Sequence, residues 1–166
     1  LRKPDEPEFN IDSTAENIAR GILLNKTAAN GQIPVIYGTR KVGGTLAFLE
    51  TSGTDNQYLY MALILGEGEI DDITKIFVND NEVTFDGDLA DNVQRDVASS
   101  DSNYFRDSAS LIKIEPHFGS DSQTASSLLD TLTSWTSNHR LRGVAYLAVR
   151  FEWNGDAFGS IPTVNA

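Results

Sequence analysis

The sequence predicts a mainly β protein of the α+β kind, an antiparallel β-barrel or sandwich with two short helices. Three observations predict this. Apolar residues recur with a period of two over most of the chain beyond residue 32. Clusters of Gly, Asn and Asp punctuate these stretches. The strand-like stretches do not alternate with helical ones, which disfavours a doubly wound parallel sheet.

The elements follow in order. Residues 1–12 are polar, acidic and Pro-containing and read as an arm. Ser13-Thr14-Ala15-Glu16 fits a capping box, and a helix follows from Thr14 to Leu24, with Ile18 and Ile22 on one face and weakened by Gly21. Ile33–Tyr37 reads as a short strand, with Pro34 marking an edge or a first position. Gly38–Gly44 is a Gly-rich turn, and Thr45–Glu50 a second strand. Gln57–Leu65 is apolar at nearly every position, so it should be covered on both faces. Ile73–Val78 and Glu82–Phe85 flank Asn79-Asp80-Asn81 and read as a hairpin. The acidic, Ser-rich stretch 86–103 reads as a long loop or insertion. Ser110–Phe118 alternates as a strand. Asp121-Ser122 caps a second helix reaching Leu132–Trp135, with Ala125, Leu128, Leu129 and Leu132 at helical spacing. Gly143–Trp153 is a long strand, and Ile161–Val164 begins another. The domain reading is therefore an arm and helix over residues 1–25 and a β-rich domain over 26–166, with a candidate insertion over 86–140. The first residue is not Met, and the chain stops just after a strand-like stretch, so the expectation is a fragment of a longer polypeptide.

Composition bounds the function. The 166 residues suffice for one domain with a substantial core. Lys and Arg number 13 against 24 Asp and Glu, a net charge of −11, which speaks against binding a phosphate backbone. The absence of Cys excludes disulfide scaffolds, Cys-ligated metals and thiol nucleophiles. The longest apolar run, Tyr58–Leu65, is far short of the roughly 20 residues that span a bilayer as a helix.

Each motif that suggests chemistry meets a physical objection. Gly38-Thr39-Arg40-Lys41-Val42-Gly43-Gly44-Thr45 resembles a phosphate loop, but Gly44 stands where Lys must be and a strand follows instead of a helix. His117 and His139 lack partners at metal-binding or triad spacing and read as surface histidines. Asp80, Glu82, Asp86, Asp88 and Asp91 miss the calcium-loop pattern, since Phe85 takes the place of its Gly. Glu67, Glu69, Asp71 and Asp72 contain carboxylates enough for a glycosidase pair, but nothing in the sequence places Trp135 or Trp153 beside them. Tyr58, Tyr60, Tyr146, Phe151 and Trp153 lie in strands and read as core or sheet-face packing. No catalytic, cofactor or metal residue is assigned.

An ordered series of phrases carries a family resemblance. Residues 33–45, Ile33-Pro34-Val35-Ile36-Tyr37-Gly38-Thr39-Arg40-Lys41-Val42-Gly43-Gly44-Thr45, are followed by Leu59–Ile70, by Ile73–Asp80, by Leu141–Leu147 and by Phe158-Gly159-Ser160-Ile161-Pro162. Together they resemble the N-terminal hub region of lambda-like phage tail tip attachment, or host-specificity, proteins. The resemblance implies a non-enzymatic virion component at the distal tip of the tail. It implies a homotrimeric baseplate hub whose β domains close the tail tube and open for DNA ejection. The implied partners are the distal tail ring protein, the tape measure protein and downstream fibre or receptor-binding parts, with no cofactor. An acidic surface would suit a conduit that must not retain DNA. Gly38, Arg40, Lys41, Val42, Gly43 and Gly44 form the expected interface, because a basic tip on an acidic protein is the most distinctive exposed feature. Two rivals stay open at this point: a β-sandwich adhesin or carbohydrate-binding module at the same tip, and a cell-wall hydrolase using Glu67 or Glu69.

Overall fold

The computed structural model describes residues 32–166. The first expected helix and the arm before it lie outside the described residues. The main sheet has five antiparallel strands in the order β1-β2-β9-β8-β5. Its members are β1 (Thr45–Ser52), β2 (Tyr58–Glu67), β9 (Val144–Glu152), β8 (Ile112–His117) and β5 (Arg95–Asp96). A smaller sheet has the order β10-β3-β4, from Val164–Asn165, Phe77–Val78 and Asn81–Glu82. A two-strand ribbon joins β6 (Phe105–Arg106) to β7 (Ala109–Ser110).

Strands β2 and β9 form the middle of the main sheet and pair from Tyr58↔Glu152 to Glu67↔Val144. Side-chain alternation sends Met61, Leu63, Leu147, Val149 and Phe151 to one face and Tyr60, Ala62, Tyr146 and Ala148 to the other. Both sets are buried, as the uninterrupted apolar run requires. The small sheet and its flanks cover the first face with Ile76, Val78, Val83 and Val164. Residues 128–135 cover the second with Leu128, Leu129, Leu132 and Trp135. Phe48 meets Trp135 edge to face, with ring centroids 5.1 Å apart.

The hairpin between β3 and β4 turns on Asn79 and Asp80, both at positive φ (47° and 64°), the backbone of a two-residue hairpin that Asn and Asp tolerate. Stretch 86–103 supplies edge strand β5 and is fastened to the core through Asp101. The Asp101 carboxylate accepts from the Thr84, Asn103 and Tyr104 amides, and the Tyr104 hydroxyl donates to the Val78 carbonyl at 2.8 Å.

Three expectations need correction. The barrel does not close: β1 and β5 are the terminal strands of the five-stranded sheet and do not pair with each other, and residues 84–86 bond along the outer side of β5. Ile33–Tyr37 is reduced to one bridge, Val35↔Glu67; Pro34 lends its carbonyl to the Glu67 amide at 2.8 Å but has no N–H to continue a ladder. The second helix is absent. Residues 121–135 run as successive turns, although Leu128, Leu129 and Leu132 are buried as their spacing predicts. The Glu115 carboxylate, from β8, takes the Ser127 and Leu128 amides that a helix would pair internally.

Gly119 sets the exit from β8. Its φ is +89°, and a Cβ there would lie 2.5 Å from the Gly68 carbonyl oxygen and 2.8 Å from the Ala145 nitrogen, both rigid backbone. Gly119→Ala is expected to destabilise the protein by about 3 kcal/mol or more, read as a fall in the urea midpoint at unchanged slope.

Candidate functional site

The segment before β1 divides at Val42. Gly38, Thr39, Arg40 and Lys41 are exposed, with Gly38 at φ +65°. Val42 exchanges two backbone hydrogen bonds with Ala166, at 2.8 and 3.0 Å, and Gly43 bridges to Asn165. Gly44 is buried so tightly that a Cβ would stand 2.7 Å from the Leu63 Cβ. The six residues expected to form the interface thus divide into an exposed tip, Gly38, Arg40 and Lys41, and an anchored base, Val42–Gly44. The Lys41 ammonium sits 3.6 Å from the centre of the Phe77 ring, a cation–π contact that fixes one of the two tip cations.

The tip borders a cleft of about 320 Å³. Arg40 and Val42 stand on one side, and Glu69, Asp71 and Asp72 on the loop after β2 stand on the other; Leu65, Ile70 and Ile73 also line it. Basic tip and acidic loop, remote in the sequence, therefore share one cleft. Among the described residues its lining contains no aromatic side chain.

Of the other acids expected as a cluster, Asp80 and Asp88 are exposed and three have structural partners. Glu82 pairs with Lys75 at 2.9 Å, Asp86 accepts from the Asp96 amide, and Asp91 accepts from the Phe118 amide at 2.7 Å. No group of three potential metal ligands converges among the described residues. Tyr60, Tyr146 and Phe151 are core, as expected. Trp153 is not: it is 53% exposed, just beyond the end of β9 where the sheet runs out.

Of the two histidines expected at the surface, His139 is there and His117 is not. His139 is exposed and stacks on Trp135, with centroids 5.0 Å apart. His117 is fully buried, because its place on β8 opposite Tyr146 turns it under residues 120–142. It stacks on Tyr146 at 4.2 Å, and its Nε2 lies 3.5 Å from Glu115 Oε1.

Glu115 is the polar centre that sequence reasoning missed. Alternation along β8 marks it as a polar-face residue, and nothing local shows that this face is roofed. Its carboxylate accepts from the Ser126 hydroxyl (2.8 Å), the Ser127 amide (3.1 Å) and the Leu128 amide (2.7 Å). Burial pushes the Glu115 pKa up, but the His117 ring and the Leu128, Ser126 and Ser127 donors outweigh it and bring the value down to about 2. Burial, with the Glu115 charge adding to it, pushes the Tyr146 hydroxyl well above its ordinary range. Gln123 fastens the other end of the covering segment. Its amide nitrogen donates to the carbonyls of Arg140 and Leu141 (2.9 Å each), and its oxygen accepts from the Gly119 amide (2.8 Å). The Glu115 carboxylate takes two amides, of Ser127 and Leu128, that a helix over this stretch would pair internally, and Gln123 ties the segment to residues 140–141 instead.

No family model matches the chain. The sequence is 22% identical over 197 aligned positions to baseplate hub protein pb3 of Escherichia phage T5, covering 95% of this chain and 21% of that protein. The chain is similar to a phage tail hub protein. It spans about a fifth of the length of that curated relative. Its fold is shared with a chain of the virion of a native gene transfer agent particle, at a TM-score of 0.59 and 15% identity over 87% of this chain and 28% of that one.

Glu115 yields a pH-dependent test. Its pKa lies below the usual 4.5, so its stabilisation, about 3 kcal/mol, is complete above that value and is lost as pH falls towards 2. Glu115→Gln is expected to be about 2–4 kcal/mol less stable at pH 7. The gap to the parent protein in urea midpoint should narrow steadily between pH 4.5 and pH 2. A gap independent of pH would show that the carboxylate charge does not hold the segment.

Proposed function

We propose that this chain is a structural segment of a phage tail, part of the baseplate hub at the distal tip. One observation carries the reading: the likeness to a baseplate hub protein runs along 95% of the chain instead of one motif. The shared fold with a virion particle chain supports it. On this reading the domain is one of several in a non-enzymatic hub that closes the tail tube, links it to receptor-binding parts and opens for DNA ejection. The hub is a homotrimer that meets the distal tail ring protein and the tape measure protein. The Gly38–Gly44 segment supplies an interface, with Arg40 at its exposed tip and Val42–Gly44 as its rigid base. The net charge of −11 favours passage of DNA without retention.

Immunogold electron microscopy of intact particles, with antibody raised against this chain, tests the placement. Label confined to the tail tip, with three copies per particle by quantitative mass spectrometry, is the result expected of a trimeric hub. Particles without label would overturn the reading. For the interface, Arg40→Glu combined with Lys41→Glu is expected to lower the yield of complete tails by about tenfold, while the urea midpoint falls by no more than an exposed cation–π contact predicts, about 1 kcal/mol. Undiminished tail yield would remove the tip from the interface.

A further inference from the structure

Among the described residues, nothing covers the first face of the main sheet at its β1 edge. A groove of about 230 Å³ opens there, with Leu59, Phe151 and Phe158 continuing the core to its floor. Its walls are Leu49 on β1 (44% exposed), Trp153 (53%) and Ile161 (58%), three of the most exposed large apolar residues in the protein. β1 is also the edge strand: among the described residues it pairs with β2 alone. A row of backbone donors and acceptors therefore runs beside an apolar trough.

The lining narrows the choice of occupant. Its two polar side chains, Thr51 and Asn56, are bonded to each other, hydroxyl to amide oxygen at 2.8 Å. A sugar needs several directed polar partners and finds few here. The loops that bound the groove, residues 53–57 and 154–162, carry Asp55 and Asp156 and no Lys or Arg, and β9 ends on Glu152 beside them. A second copy presenting the same edge would bring acid against acid, on chains that each carry a net charge of −11.

We propose that the groove and the β1 edge together bind an extended apolar segment of another protein that carries Lys or Arg beside its apolar residues. The segment adds as a further strand alongside β1. Its alternate side chains enter the groove over Leu59 and against Trp153, and its cations meet Asp55 and Asp156. The site is separate from the Gly38–Gly44 tip and does not depend on the tail reading.

The probe is a synthetic peptide of about nine residues, alternating valine and threonine with lysine at both ends; a twin has glutamate at the ends. Trp153 reports docking directly, since the other tryptophan, Trp135, is buried and out of reach of acrylamide. With the full chain, the lysine peptide is expected to protect Trp153 from acrylamide quenching, to bind at least about fivefold more tightly than its twin, and to weaken as salt is added. Leu49→Lys and Ile161→Lys, on opposite walls and both solvent-accessible, should each weaken binding by about tenfold while leaving the far-ultraviolet circular dichroism unchanged. Absence of quenching protection, or equal binding of the two peptides, would overturn the proposal. So would a peptide-free dimer in sedimentation velocity that Leu49→Lys dissolves, because the groove would then belong to a second copy.

Discussion

Burial of the β2–β9 pair on both of its faces constrains everything else in the molecule. Met61, Ala62, Leu63, Leu147, Ala148 and Val149 are all inaccessible to solvent, and they alternate between the two faces. A sheet apolar on both sides needs two covers, and a domain of this size has few elements to supply them. The first is conventional: a small sheet tied by backbone pairing, with β10 fastening its far strand to Gly43 and Val42. The second is a run of turns with little backbone pairing of its own. Its amides and carbonyls would be unsatisfied against the sheet, and Glu115 and Gln123 are the side chains that satisfy them. The two covers are thus held by different physics, one by ladder hydrogen bonds and the other by a buried charge and an amide.

The same division organises the protein's acidity. In the 80–101 region Glu82, Asp86, Asp91, Asp96 and Asp101 are bonded, as acceptors for loop amides or as partners of Lys75 and Lys113, while Glu82 and Asp86 stay exposed, as Asp80 and Asp88 do. Acids after β2 and around the β1 edge are left facing outward, at the cleft beside Arg40 and at the rim of the apolar groove.

Much of this was legible in the residues. The long strands β2 and β9 were, because an apolar run of that length between Gly-rich turns has few other solutions; so was the Asn79-Asp80 hairpin, whose residues accept positive φ. The second helix was misread because Leu128, Leu129 and Leu132 keep helical spacing whether a helix or a sequence of turns delivers them to the sheet. What decides between these is Glu115, which lies on another strand and acts through tertiary contact. The buried state of His117 was hidden for the same reason. Trp153 misled in the opposite direction: strand alternation places it well, but the cover ends before it does. At the candidate site, the tip was readable from its Gly and basic residues, while its meeting with Glu69–Asp72 depends on where Val42 is pinned by Ala166.

The register of the central pair also dictates the order of assembly. β1 meets β2 across a short loop, whereas β2 must wait for β9, and their partners nearest in the chain are residues 67 and 144. Local hairpins close in microseconds, but a closure over such a separation carries a larger entropic cost and comes late. During synthesis the apolar strand β2 therefore stands with one edge bare until β9 has emerged. That interval is when β2 is most exposed to pairing with the wrong neighbour, and it lasts as long as translation takes to supply β9.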